Sequence, residues 1–284
     1  MSAENPVLPH SPDLPGLPES FRAKKWQGMT LKEVLIEIVG EYPLDWMRFG
    51  EYRWLPLELK NSLEAFLSCQ GSTSFVPRKE LLQEKWFDRQ VMSLAEDEEY
   101  RREKGVLHSR GEGFEPIDFL LRDKGIDAGW ELAFQSVVCL EDGTWAYIPT
   151  LDLLCSPTSK NLEKIKNLFD TYMVHLLGSR HDVDGKIMGV FLYSGNSFQY
   201  CGLNLVKRWQ WENFLKRSLY VLIDYKPDGT KEWLVDPAWI GHSLEQRSAD
   251  LRLTNITQRK PIVPIVVDVW ANSLQDTPLE TVSK

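Results

Sequence analysis

Three aspartates stand at the ends of β-prone runs: Asp152 after Tyr147-Ile148-Pro149-Thr150-Leu151, Asp224 after Tyr220-Val221-Leu222-Ile223, and Asp236 after Trp233-Leu234-Val235. A carboxylate at a strand end can hold Mg2+ or Mn2+ against a phosphate, because a hard cation takes oxygen ligands and the strand fixes their direction. The same residue serves equally as a turn former or helix cap, so both readings stay open for each. Basic residues offer the complementary chemistry. Arg247, Arg252, Arg259 and Lys260 face only Asp250 between residues 247 and 260, an excess suited to phosphate or to a solvated loop. Lys207, Arg208, Lys216 and Arg217 flank Trp209 and Trp211, a combination that suits phosphate neutralisation and base stacking, although a helix starting there turns at least one ring inward. His242, in Trp239-Ile240-Gly241-His242-Ser243, is either a structural histidine or a phosphate contact.

Several enzyme classes are excluded, since the chain has no G-x-S-x-G, no H-E-x-x-H, no P-loop and no Rossmann glycine fingerprint. The 284 residues are 43% hydrophobic and 26% charged, which supports a sizeable core, and 11 Trp, 12 Phe and 9 Tyr exclude a disordered chain. Cys69, Cys139, Cys155 and Cys201 lie far apart with no C-x-x-C pair, so buried thiols are expected rather than a zinc ribbon or a disulfide framework. A net charge of -8 argues against a protein that coats nucleic acid with its whole surface and leaves room for a local basic groove. There is no long apolar span and no secretory start, so a cytoplasmic protein without membrane contact is expected.

The elements that must position these groups follow from periodicity. Residues 1–24 read as a flexible Pro-rich leader, 25–128 as a helical N-terminal region, 129–271 as an α+β domain and 272–284 as a C-terminal tail. Thr30-Leu31-Lys32-Glu33 has capping-box spacing ahead of the stripe Leu31, Val34, Leu35, Ile38, Val39. Further helices are expected after Pro56 and, with a dense charge run, from about Pro77 to Lys104. Glu141-Asp142-Gly143-Thr144 predicts a turn between strands 132–140 and 145–154. Ser156-Pro157 then predicts the start of a helix through Leu162, Ile165, Phe169 and Met173. Strands are expected over 187–193, 198–206, 219–225, 231–235 and 262–270, with a helix over 210–217 and an edge position for the last strand because of Pro264. The expected fold is α+β: a helical N-terminal region followed by a mostly antiparallel sheet with helices.

The order of these elements resembles the archaeo-eukaryotic primase (primase-polymerase) superfamily over about residues 129–270. Ile148-Pro149-Thr150-Leu151-Asp152-Leu153-Leu154 resembles the strand ending in D-x-D or D-x-E, and Ser194-Gly195-Asn196-Ser197-Phe198-Gln199 resembles the turn into s-x-H. Leu234-Val235-Asp236 resembles the third motif, and Leu251-Arg252-Leu253 and Lys260-Pro261 the closing Arg-Leu and Lys-Pro elements. Trp239-Ile240-Gly241-His242 is similar to the W-x-G-H of divergent primase-related bacterial proteins. The resemblance implies Asp152 and Asp236 as catalytic and metal-binding carboxylates, and Ser197, Gln199, His242, Arg252 and Lys260 as contacts to a nucleotide. Two departures stand out: Leu154 replaces the second carboxylate and Gln199 replaces the histidine. Two carboxylates supply half the charge of two divalent cations, so one Mg2+ or Mn2+ at most is expected. The expected function is a divergent, degenerate primase-fold protein, non-catalytic or weakly catalytic, that binds single-stranded nucleic acid or nucleotide beside a protein partner in a bacterial complex of replication or defence. The alternatives are a protein-interaction adaptor without nucleic-acid binding, and an active metal-dependent primase or nucleotidyltransferase with Asp224 supplying the missing carboxylate.

Overall fold

The computed structural model describes residues 14–53, 70–83, 130–177, 187–225, 228–253 and 263–271. After a one-turn helix α1 (Ser20–Ala23), α2 (Leu31–Glu41) starts at its expected capping box: Thr30 Oγ1 accepts the Glu33 amide while Glu33 Oε2 accepts the Thr30 amide. Leu31, Val34, Leu35, Ile38 and Val39 bury one face of it. The N-terminal region then adds two strands that its helical patterning does not announce, β1 (Leu44–Arg53) and β2 (Gln70–Pro77). The long charged helix expected from Pro77 is a single turn where it is described, α3 (Arg78–Leu81); residues 84–104 and the helix expected after Pro56 lie outside the described residues.

β3 (Trp130–Leu140) pairs with β1 along its whole length, and the Asp142-Gly143 turn leads into β4 (Trp145–Tyr147) on its other side. The single strand expected over 145–154 divides at Ile148-Pro149. β4 stays on β3, whereas β5 (Thr150–Asp152) crosses to a second sheet and pairs with β7 (Phe198–Gly202). Proline has no amide to continue the first ladder, and its carbonyl instead accepts the Gly202 amide at 2.6 Å.

The helix expected from Ser156-Pro157 begins later, as α4 (Ser159–Tyr172), because Thr158 Oγ1 takes the Asn161 amide and is the cap; α5 (Val174–Leu177) follows. β6 (Ile187–Tyr193) forms a hairpin with β7. The next helix, α6 (Arg208–Val221), overruns the strand expected from Leu219 and leaves only β8 (Ile223–Tyr225), paired with β9 (Lys231–Trp233). The buried stripe Trp211, Phe214, Leu215 and Ser218 holds this helix, so packing outweighs the β propensity of Tyr220 and Val221. α7 (Pro237–Gln246), β10 (Asp250–Arg252) and β11 (Ile265–Ala271) complete the described chain.

The fold is α+β with antiparallel sheets, as the sequence predicts. The five-stranded sheet has the order β10-β3-β1-β2 with β4 also on β3, and the four-stranded sheet has the order β11-β6-β7-β5, which puts β11 at the edge as Pro264 suggested. One core joins α2 to the inner face of the five-stranded sheet (Met47, Phe49, Phe134, Val138, Leu251) and to one face of the four-stranded sheet (Val190, Leu192, Cys201, Val266). A second core packs the opposite face of the four-stranded sheet (Leu151, Phe191, Tyr200, Trp270) against α4, α5, α6 and α7. Cys139, Cys155 and Cys201 are buried free thiols; Cys69 lies outside the described residues. Among the described residues no helix is long and apolar enough to cross a membrane.

Candidate functional site

Asp152, the last residue of β5, is the register partner of Gln199 in β7. Directly opposed residues of an antiparallel pair share a face, with Cβ atoms about 5 Å apart. On the other side of β5, Leu153 bridges Val235 in antiparallel register, the Leu154 amide donates to Leu234 O at 2.9 Å, and the Asp236 amide approaches Asp152 O at 3.5 Å. Gln199, Asp152 and Asp236 therefore form one row across three neighbouring segments that are 37 or more residues apart in sequence.

Each member has a defined environment. Gln199 is 3% exposed, and its Oε1 is buried without a hydrogen-bond partner, which costs about 1–3 kcal/mol. Thr150 Oγ1, two residues before Asp152 and therefore on the same face, is also buried without a partner. Asp152 and Asp236 are half-buried. Asp236 is the N-cap of α7: its Oδ1 accepts the amides of Ala238 at 2.9 Å and Trp239 at 3.2 Å, with Pro237 opening the helix. The cap reading of a strand-end aspartate thus holds at Asp236, whose backbone also stands on the row. Asp152, Asp236 and the unpartnered Gln199 Oε1 bring to one row oxygen groups of the kind that Mg2+ or Mn2+ takes. Among the described residues no group of three or more His, Cys, Asp or Glu side chains is placed to hold a metal.

The turn between β6 and β7 brings further polar groups to the row. Ser194 N donates to Ser197 O at 3.0 Å, the two hydroxyls are 3.1 Å apart, and Gly195 at φ +108° supplies the backbone conformation that other residues avoid. Arg252, at the end of β10, is 4% exposed and donates Nη2 to Ser194 O at 2.9 Å, tying the edge of one sheet to the hairpin of the other. Ser197 lies two residues before Gln199, so Ser197, Gln199, Asp152, Asp236 and Arg252 belong to one neighbourhood.

The other expected residues do not join it in the same way. His242 lies on α7 six residues beyond its cap, about 9 Å along the axis. It is half-buried, and burial lowers its pKa while Glu245 pulls it up. Asp224 stands opposite Glu232 in the β8–β9 hairpin and is ion-paired with Lys164, so its carboxylate is already engaged. Lys260 lies outside the described residues. Trp211 is fully buried and stacked on Tyr147 at 4.8 Å, whereas Trp209 is 59% exposed; Arg208 and Lys216 both pair with Glu212. Sequence reading missed Thr150 and Ser194, whose signal is only a polar residue beside a motif.

No curated protein and no solved structure matches the chain. A family model does: the AEP-like model, described as archaeo-eukaryotic primase 1D-like, matches residues 121–265. That range holds β3 through β10, and with them Asp152, Gln199, Asp236 and Arg252. It covers just over half of the 284 residues. The matched range contains the three residues of the row, and the chain belongs to the archaeo-eukaryotic primase 1D-like family.

Proposed function

We propose that the protein is a catalytically silent or nearly silent member of this family, which binds nucleic acid or a nucleotide at the Gln199–Asp152–Asp236 row with at most one divalent cation. The observation that supports this is the composition of the row. Asp152 is paired with an amide, Asp236 has one oxygen committed to two backbone amides, and the residue two beyond Asp152 is Leu154, 53% exposed. Two-metal phosphoryl transfer needs enough negative charge to hold both cations in place, and a neutral glutamine adds an oxygen but no charge. Ser197 and Arg252 supply a hydroxyl and a guanidinium at the same edge, the donors a phosphate requires. A cation there would offset the repulsion between the carboxylates and orient phosphate oxygens. Asp152 would hold it, Gln199 would fill its shell, and Arg252 would keep the Ser194 turn in place.

Two measurements test this reading. Millimolar Mn2+ is expected to raise the melting temperature of the wild type and to have no effect on Asp152→Asn. Primer extension on a single-stranded template, with any nucleotide mixture, is expected to stay at background. Extension that disappears in Asp236→Asn would reverse the assignment to an active enzyme.

A further inference from the structure

A second surface lies away from the row, on the outer face of the five-stranded sheet. Alternation in β1 sends Met47 and Phe49 into the core and turns Trp46 and Arg48 outward. Register then aligns Phe75 of β2 with Arg48, and Trp145 of β4 with Cys139, which itself faces Trp46. The result is a row of three rings. Trp46 makes edge contacts with Phe75 at 4.6 Å and with Trp145 at 4.7 Å, while Phe75 and Trp145 are each 55% exposed. Large rings left half in water on an ordered sheet cost hydrophobic free energy unless something covers them.

Arginines gather at one side of these rings. Arg48 lies 5.7 Å from the Phe75 ring centre and its Nε is buried without a hydrogen-bond partner. Arg208, at the start of α6, and Arg247, at the end of α7, both lie within electrostatic reach of the Tyr147 hydroxyl, as does Arg48. Burial raises the Tyr147 pKa, the three guanidinium groups pull it down, and Glu212 is the one acid that adds to the rise. Glu212 is itself shared between Arg208 and Lys216. Arg247 is also the only non-glycine residue at positive φ (55°) among the described residues, in a C-cap position that glycine normally takes. Arginines from three elements, one of them paired with Glu212, thus lie around Tyr147 in a chain of net charge -8. Asp45 and Asp142 lie toward the other end of the face, near Cys139.

We propose that this face binds single-stranded nucleic acid, with bases stacked on Phe75 and Trp145 and phosphates held by Arg48, Arg208 and Arg247. Sequence-tolerant recognition of a single strand needs this combination of flat rings beside guanidinium groups. A folded protein partner would bring its own acids and a matching relief, which nothing on this face prescribes. The inference goes beyond the row at Asp152 and stands on different residues. α7 links the two places, with Asp236 at its first end and Arg247 at its last, about 15 Å apart for ten residues.

The test is fluorescence anisotropy of labelled oligo(dT) with the full chain across a salt series, alongside melting temperatures for every variant. Phe75→Ala and Trp145→Ala are each expected to weaken binding about tenfold, with the loss retained at high salt. Arg247→Glu is expected to weaken binding at low salt and to reduce the salt slope by about one. Tyr220→Ala, at an exposed ring elsewhere on α6, is expected to bind as the wild type does. Photocrosslinking with an iodouridine-substituted strand is expected to label Trp145 or Phe75. Unchanged affinity in both Trp145→Ala and Arg247→Glu, or crosslinks only at other residues, overturns the surface while leaving the row at Asp152 intact. Absence of saturable binding by the wild type at low salt overturns it as well and leaves protein docking as the use of the rings; the Mn2+ shift at Asp152 reports on the row independently.

Discussion

The two sheets are built from the same alternation, yet they spend their polar residues differently. The four-stranded sheet is covered on both faces, by α2 and the other sheet on one side and by α4 to α7 on the other, so a polar side chain on it stands out as a cost. Gln199 and Thr150 are such costs, and both lie in the strand pair that carries Asp152. The five-stranded sheet is tightly packed on its inner face, and its outer face is covered in part, where Val137 and Tyr147 join the core that holds Trp211, and presents Phe75 and Trp145 to solvent. An exposed site tolerates most side chains, so function there is written in clustering rather than in any single residue. The closed sheet thus shows its site through unsatisfied groups alone, whereas on the outer face the unsatisfied Arg48 Nε is joined by charge and aromatic surface.

The sharpest way to probe this contrast is to overfill the closed sheet. Gly189 in β6 lies against the ring of the fully buried Tyr200, and a Cβ there would collide with the ring. Gly189→Ala is expected to cost about 1–3 kcal/mol in chemical denaturation, whereas Trp145→Ala on the open face is expected to stay within about 0.5 kcal/mol. Equal losses would mean that the outer face is as tightly packed as the inner one.

Thiol reactivity gives a smaller but graded reading. Burial pushes Cys201, in the closed sheet, up to about 12, and Cys155 up to about 11. Cys139, between Trp46 and Trp145 on the outer face, is raised by burial and by the nearby Asp45 and Asp142. Since the thiolate is the reactive form, native alkylation is expected, among the three described thiols, to modify Cys139 first and Cys201 last, read by peptide mass spectrometry. Rapid modification of Cys201 would show that the closed sheet opens readily.

The smallest effect expected is at His242, on a helix that covers the closed sheet. Burial, partly countered by Glu245, holds its pKa below the ordinary value of 6.5, so the unfolded chain binds the proton more readily than the folded one. Stability therefore rises with pH through this group. Its contribution is complete above about pH 6.5 and declines as the pH falls from there toward the lowered folded value. His242→Gln is expected to flatten that part of the stability profile; an unaltered slope would locate the pH dependence elsewhere.

What was legible in the sequence follows the same division. The capping box at Thr30, the Asp142-Gly143 turn, the β6–β7 hairpin and the edge position of β11 are local signals, and each is present. The motif order at Asp152, Gln199 and Asp236 was also readable, because short strands ending in polar residues carry their own punctuation. β1 and β2 were not, since β1 interrupts its apolar residues with Asp45, Arg48 and Glu51, β2 is mostly Gln, Gly, Ser and Thr, and their partner β3 lies far along the chain. The extension of α6 through Val221 was hidden by β-branched and aromatic residues that only tertiary contact turns into a helix. The split at Pro149 needed knowledge of two separate sheets. The outer surface was invisible for a simpler reason: Phe75, Trp46, Trp145, Arg48 and Arg247 come from three strands and a helix end, and no sequence window contains them together.

The crossover at Ile148-Pro149 has one more effect. Trp145 and Asp152 are seven residues apart on a single extended segment, β4 in one sheet and β5 in the other, without a compliant loop between them. A ladder of backbone hydrogen bonds grips each half: the Ile148 amide donates to Ser136 O and the Gly202 amide to Pro149 O. A pull on the Trp145 end is carried as tension along the backbone to the carboxylate at the other end, as along a taut cord. Any coupling between a strand seated on the rings and a ligand seated at the carboxylates has to be of equal size in both directions, since such linkage is reciprocal.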